Sequence, residues 1–462
     1  MSDTRNEPTH DDDEDEPPLC AELRLVFVAP SSIVTIPAFP MAHKKLMTIG
    51  RRTSCDIPID SGGVSEDHAT VYALEKEDSW EVVLTDCGST NGTTVNGTRI
   101  KSQQLKDGDI VGIGNSYLVF RVHQSPDTDC SIASIIGCSP EIRHVRQQIE
   151  VFAPTPLPVL LQGETGVGKE VVAKALHTLS GRGGPHVPYN CAGLLETLAE
   201  STLFGHIKGA FSGAHSDQTG LFEEASKNGG GTLFLDEVAE LDAKIQPKLL
   251  RAIENRTYYK MGIPTERKSS ARLITGTKTN LRDARRMGLF RDDLYHRITA
   301  VTIHIPSLRR RREDILPLVQ HFLGTSKLKL SARLAKELLL HPWPGNVREL
   351  KQTIEKTAVL AQRAGEHELR YVHCRDEMKR SADDWKKDDD EARPSSTDLS
   401  GTQSSDRQAA EPRSRPSKEE FVVVLNRCNG KILRAAHALG VDRKTIRRWI
   451  EHYELGAKTP EE

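Results

Sequence analysis

Three things are scarce in this 462-residue chain. Its eight cysteines include no CxxC pair and no His/Cys spacing of the metal-binding kind. That excludes a disulfide frame or a zinc site as the organising device and implies reduced thiols. No apolar run approaches the ~18 residues of a membrane span, and no signal-peptide core is visible, so the expectation is a cytoplasmic protein with no membrane partner. Net charge is nearly absent as well, at −2. That balance is local, because the acidic run Asp11 to Glu16 offsets a basic C-terminus.

The length exceeds one ordinary core, so a modular chain is expected at roughly 100–200 residues per domain. Residues 1–20 are acidic and read as disordered. Across residues 21–125 short β-branched runs ("LRLVFV", "ATVYAL", "WEVVLTD", "YLVFRV") alternate with Gly/Asn/Asp turns, the spacing of an all-β sandwich. Residues 132–370 alternate strands with helices, implying a parallel α/β domain followed by helices. Residues 378–416 are rich in Ser, Pro and charge and read as a flexible linker. Residues 417–457 have helical periodicity.

The α/β segment carries recognisable chemistry. "PVLLQGETGVGKE" runs an apolar strand into a glycine-rich loop, Gly163, Glu164, Thr165, Gly166, Val167 and Gly168, then Lys169 and Glu170 open a helix. Loop N–H groups and a helix N-terminus face phosphates in this arrangement, and Lys169 supplies a point charge. Glu170 stands where Ser or Thr usually helps hold magnesium. "GGGTLFLDEV" is a buried strand ending in Asp236, placed to hold Mg²⁺ through water, and Glu237, placed to polarise an attacking water. The interval from Lys169 to Asp236 exceeds the ~30 residues of a simple βαβ unit. Something projects between them, and "HIKGAFSGAHS" lies there, with Phe211 exposed on a glycine stalk. Pro247, in an expected helix, implies a kink or a first-turn position.

"GETGVGKE", "FGHIKGAFSGA", "GGTLFLDEVAEL", "FRDDLYHRI", "PSLRRRREDI" and "WPGNVREL", in this order, resemble the AAA+ domain of bacterial enhancer-binding proteins, the activators of sigma-54 RNA polymerase. The resemblance implies an ATPase using ATP and Mg²⁺, with a helical lid. It implies that Asn190 is a switch residue holding the catalytic glutamate, that Arg291 and Arg297 are fingers entering a neighbour's site, and that Arg348 is the sensor II arginine. Gly209, Ala210, Phe211, Ser212, Gly213 and Ala214 become the sigma-54 contact. A finger supplied in trans requires a ring, and the family implies a hexamer. Three positions depart from the family: Ser212 replaces Thr, Ile207 replaces Glu, and Thr277 with Lys278 occupies the place of a sensor I Asn.

"IGRRTSCDIPI", "VSEDHA", "DCGSTNGTTVNG" and "LKDGDIVGIG" resemble a forkhead-associated (FHA) domain, which reads phosphothreonine. Arg51, Ser65, Thr90 and Asn91 fall on family binding positions, whereas Gly50 and His68 read as structural. An arginine with a hydroxyl and an amide suits a phosphate dianion on an extended peptide, although Glu66 and Asp67 place like charge beside the pocket. "KEEFVVVLNRCNGKILRAAHALGVDRKTIRRWIEHYEL" resembles a Fis-type helix-turn-helix, its second helix displaying Arg443, Lys444, Thr445, Arg447 and Arg448 to DNA. Between Arg413 and Leu455, ten Lys/Arg stand against five Asp/Glu.

The expectation is therefore a multidomain regulator: an all-β FHA sandwich, an α/β AAA+ P-loop ATPase with a helical lid, and an all-α helix-turn-helix. Its expected partners are sigma-54 RNA polymerase, enhancer DNA, a phosphothreonine protein such as a Ser/Thr kinase or its substrate, and copies of itself. One alternative is a DNA-binding repressor that does not contact sigma-54. Another is an AAA+ unfoldase that takes cargo through FHA.

Overall fold

A computed structural model describes residues 19–29, 37–76, 79–124, 132–193, 196–326 and 328–392. The expected helix-turn-helix at 417–457, with Arg443, Lys444, Thr445, Arg447 and Arg448, lies outside the described residues.

The N-terminal domain is a β-sandwich. One sheet orders its strands Ala38–Pro40, Leu19–Phe27, Ser116–Gln124, Ile110–Ile113, Thr93–Val95 and Thr98–Ile100; the other orders Ile57–Pro58, Lys45–Gly50, Ala69–Lys76, Ser79–Asp86 and Ser102–Leu105. The first strand begins at Leu19, inside the span expected to be disordered. Leu19–Phe27 pairs antiparallel with Ser116–Gln124, Leu23 opposite Phe120. One side-chain parity, including Leu23, Leu25, Leu118 and Phe120, fills the sandwich. On the other face Val26, Phe27, Tyr117 and Val119 join the core of the ATPase lid, with Leu316, Val319, Leu334 and Leu338. The near-continuous apolar runs of these two strands thus reflect burial on both faces.

The second domain is a five-stranded all-parallel sheet in the order His186–Asn190, Thr232–Asp236, Arg272–Thr277, Val159–Gln162, Val301–His304. Apolar clusters cover both faces, one around Leu203, Leu233 and Leu249, the other around Val159, Ile274 and Ile303. The carboxyl ends of the central strands deliver Gln162 and Asp236 to a single edge, where ligands bind in open α/β sheets. Pro247 stands in the first turn of helix Gln246–Glu254, where its missing N–H breaks no helical bond.

The lid comprises helices Ile315–Leu323, Ala332–Leu340 and Asn346–Arg363, then Arg375–Ala392. The last helix corrects the linker boundary, because it occupies residues assigned to the flexible segment from 378. Its anchors are tertiary: Met378 is buried, its carbonyl meets His341 Nε2 at 2.9 Å, and Glu377 pairs with Lys356 at 2.5 Å.

Trp343 is the largest side chain sealed in the lid core. It is wholly buried and donates its indole N–H to the Leu338 carbonyl at 2.9 Å. Trp343→Ala is expected to cost about 3–5 kcal/mol through the cavity it leaves. Urea unfolding checks this, and a loss below about 1 kcal/mol would show that the lid core does not depend on the ring.

Candidate functional site

The strand Val159–Gln162 ends at the glycine loop. Gly166 sits at φ 80° and Gly168 at φ 109°, conformations that favour glycine. A Cβ on Gly166 would lie 2.3 Å from the Gly345 carbonyl oxygen, so lid and loop are in direct backbone contact there. Gly168 is the N-cap of helix Lys169–Leu179 and offers no capping side chain, which leaves a helix N-terminus able to receive an anion. Lys169 is 5% exposed. Its Nζ lies 3.2 Å from the Gly163 carbonyl oxygen, 3.1 Å from Glu237 Oε1 and 3.5 Å from Asp236 Oδ1. The structure therefore brings Lys169, Asp236 and Glu237 together.

Glu237 is constrained in two ways. Its backbone is left-handed at φ 54°, and its Oε2 accepts the Lys278 N–H at 3.2 Å. That contact clarifies the sensor I departure. Lys278 reaches Glu237 through its backbone, while its exposed ammonium is 3.7 Å from Glu240. The Thr277 hydroxyl is occupied with Thr279, donating to its carbonyl at 3.2 Å and accepting its N–H at 3.0 Å. Asn190 lies opposite Asp236 in the sheet register, and its Oδ1 accepts the Ala192 N–H at 2.8 Å. In this state Asn190 caps its own turn.

Four lid residues grip the loop. Arg309 bonds both carboxylate oxygens of Glu164, at 2.8 and 2.5 Å, and holds that carboxyl below its usual range. Arg311 donates to the Val167 carbonyl at 3.0 Å, and the Arg348 N–H donates to the Gly166 carbonyl at 3.3 Å. Arg348 was singled out from the sequence, but for its side chain as sensor II, whereas the contact here is its backbone N–H. Arg309, Arg311 and the buried Asn346, which donates to Glu164 at 3.0 Å and to the Thr165 carbonyl at 3.1 Å, were not singled out. The only local signal is the Gly-Asn step of "WPGNVREL", which suits Asn346 at φ 54°. Arg291 and Arg297 are exposed on and beside helix Asp292–Ile298, and Arg291 pairs with Asp293 at 2.7 Å.

For Mg²⁺ the oxygen donors at hand are Asp236 and Glu237, with exposed Glu170 in the first helical turn. Among the described residues no group of three or more His, Cys, Asp or Glu forms a metal cage. This donor set fits an ion held by one or two carboxylates, water and phosphate oxygens.

The loop carrying Phe211 corrects one expectation. Phe211 is half-buried, its ring edge-on to His206 at 5.0 Å. Gly209 and Gly213 take φ 84° and 110°, and the loop closes on itself through Gly209 N–H to Ala214 O (2.9 Å) and Ala214 N–H to Phe211 O (3.0 Å). Ser212 is exposed. Ile207, the departure from Glu, packs over Gly262, where an added Cβ would meet it at 2.7 Å.

In the sandwich, Arg51, Thr90 and Asn91 are exposed and Ser65 half-buried on adjoining loops. Ser65 Oγ accepts the Thr90 N–H at 3.2 Å, and the Asn91 amide donates to Gly63 O at 2.8 Å. Glu66 and Asp67 do not stand as free negative charge, because Arg52 pairs with them at 2.8 and 3.0 Å. Gly50 and His68 are structural: a Cβ at Gly50 would lie 2.0 Å from the Glu66 carbonyl oxygen, and His68 is fully buried.

Residues 135–304 match the family described as the sigma-54 interaction domain, residues 47–114 the FHA domain and residues 309–391 the AAA+ ATPase lid domain. The chain belongs to the family of transcriptional regulators carrying the sigma-54 interaction domain. It is similar to the transcriptional regulatory protein ZraR of Salmonella typhimurium, 39% identical over 70% of this chain and 69% of that protein. It is also similar to the anaerobic nitric oxide reductase transcription regulator NorR of Vibrio vulnificus, 46% identical over 49% of this chain. That match covers 46% of NorR, so the chain spans about half the length of such relatives. The solved structure of NtrX from Brucella abortus in complex with ATP is 29% identical, covering 70% of this chain and 69% of that one, with a TM-score of 0.46.

His68 generates a pH prediction. Its Nδ1 accepts the Ser65 N–H at 3.0 Å, so the proton sits on Nε2, which faces Gly92 O at 3.3 Å. Burial holds its pKa below the usual histidine value. The unfolded chain then takes up a proton near pH ~6.5 that the folded domain resists. His68's contribution to stability is accordingly present above that pH and lost as pH falls below it. Urea unfolding at pH values above and below this point should show a smaller acid loss in His68→Gln than in the native chain; equal losses would remove His68 as the cause.

Proposed function

We propose that this chain is an ATP-dependent activator of sigma-54 RNA polymerase, controlled by phosphothreonine recognition through its FHA domain. The observation that carries this reading is the buried Lys169 ammonium between Glu237 and Asp236 at the mouth of a lid-gripped glycine loop, in a chain of the sigma-54 interaction family. The loop and helix N-terminus bind the ATP phosphates, and Lys169 transfers from the acids to the phosphate oxygens. Asp236 would hold Mg²⁺ through water, and the ion would supply charge neutralisation at the phosphates. Glu237 orients and polarises the attacking water, and Asn190 is the switch residue that holds Glu237 until the polymerase loop is engaged. Arg291 and Arg297 complete the site of the next subunit in a hexameric ring. Gly209 to Ala214 present Phe211 to sigma-54, and Ser212 supplies the neighbouring polar contact.

Arg51, Ser65, Thr90 and Asn91 bind the phosphothreonine ligand, with Arg52 masking the adjacent acids. The basic segment 417–457, through Arg443, Lys444, Thr445, Arg447 and Arg448, places the subunits on enhancer DNA.

Two measurements test this. Glu237→Gln is expected to keep ATP binding and lose hydrolysis by about a hundredfold or more, because the water loses its base while the phosphate cradle persists. Hydrolysis at the native rate would end the assignment. Phe211→Ala is expected to hydrolyse ATP normally yet fail to open a sigma-54 promoter in reconstituted transcription, since aromatic anchors carry much of the energy of small interfaces. Normal transcription by Phe211→Ala would place the polymerase contact elsewhere. Promoter-bound protein that represses sigma-54 transcription would favour the repressor reading.

A further inference from the structure

The segment Leu308–Asp314 has two working sides. Toward the nucleotide loop, Arg309 grips Glu164 and Arg311 donates to the Val167 carbonyl. Toward the FHA sandwich, the Arg310 carbonyl accepts from Arg121 at 2.8 Å, Arg312 donates to the Gly108 carbonyl at 3.3 Å, and Glu313 lies 3.3 Å from Arg121. From Arg309 to Arg312 the sides alternate residue by residue. A shift of the FHA face is therefore a shift of the residues that shape the phosphate loop.

Arg121 is the centre of the FHA side. Although it projects from a sandwich strand, it is 2% exposed and reaches Glu313, Glu141 and Asp107 of three separate segments. Glu313 is wholly buried. Burial pushes the Glu313 carboxyl up, and Arg121 is the main charge pulling it back. A buried acid deprived of its partner is strongly destabilised, so this pair fixes where the segment sits. Around it the contact is continuous: Arg24 donates to the Cys138 carbonyl at 2.9 Å, and Val26, Phe27 and Tyr117 complete the lid core.

We propose that the FHA domain forms a fixed wall of the nucleotide site, with Arg121 a positioning residue that holds the phosphate loop through Leu308–Asp314. This rests on the ATPase reading above for its kinetic consequence, but not for its structural one. The sandwich is then more than a ligand-reading module joined to the ATPase, because its docked face sets the affinity of the loop for nucleotide. Any phosphothreonine partner that loosens that face acts on ATP binding before it acts on chemistry.

The test uses the full chain. Arg121→Met is expected to raise KM for ATP by about tenfold while kcat changes less than about threefold, with Arg121→Lys intermediate. In nucleotide-free protein it should accelerate amide exchange across residues 163–168. In a double-mutant cycle Arg309→Ala should absorb the effect, so that the two substitutions together raise KM no further than the larger one alone. A lowered melting temperature with unchanged loop exchange, or multiplicative effects of the two substitutions, would overturn the coupling. If the native chain failed to turn over ATP, the ATPase reading would fall, and the exchange measurement on Arg121→Met and Arg121→Lys would still decide the proposal.

Discussion

Glu164 is the point through which the lid shapes the phosphate loop. It enters the loop directly after the strand, and its two oxygens accept from Arg309 and from Asn346, which belong to separate parts of the lid. Asn346 also accepts the Leu308 N–H at 2.8 Å, tying both grips to one another. Charge-assisted bidentate bonds are short and directional, and this one is partly shielded from water, so it resists screening more than a surface pair does. The loop's glycines supply freedom, and the lid removes it. With Gly166 pressed on the Gly345 carbonyl, the loop cannot change shape while the lid stays still.

That constraint explains why the charges behind the loop are balanced internally. Lys169 holds Glu237 and Asp236, two carboxylates that would otherwise repel each other at a strand end. A single ammonium thereby balances part of the charge of both acids at the mouth of the loop. Glu237 is strained for a non-glycine residue at φ 54°, and the Lys278 backbone N–H helps keep it there. Strain of this kind persists where surrounding bonds over-determine the backbone. The sensor I side chain is dispensable to that particular hold, because the backbone makes it, which accommodates Lys278 in place of an amide.

How much of this could be read from sequence depended on the range of the interactions. The glycine loop, the acidic strand end and the sandwich turns are local patterns, and each was legible. The runs "LRLVFV" and "YLVFRV" were legible as sandwich strands, although the cover on their outer face was not, because it comes from lid helices distant in sequence. Arg121 reads as an ordinary outward strand residue; only the fold brings Glu313 and Glu141 to it. The helix Arg375–Ala392 was masked by its composition. Its acidic and basic residues suggest solvent, yet Met378 and the pair Lys356–Glu377 seat it on the lid. Glu66 and Asp67 read from sequence as like charge beside the phosphate pocket, whereas the fold pairs both with Arg52, whose single positive charge offsets one of the two.

The Phe211 loop is held more by bonds within itself than by bonds to the rest of the domain. Its internal bonds, Gly209 to Ala214 and Ala214 to Phe211, travel with it. Its tethers are few: the Ile207 N–H to Met261 O at 3.1 Å, the Lys208 N–H to Asp217 at 2.8 Å, and the ring edge against His206. Releasing a half-buried aromatic forfeits about 1–2 kcal/mol of burial, and each exposed hydrogen bond costs about 1 kcal/mol more. A sum of that size is within what nucleotide contacts supply when they reorganise a loop. Ile207 adds an apolar contact over Gly262 to these tethers.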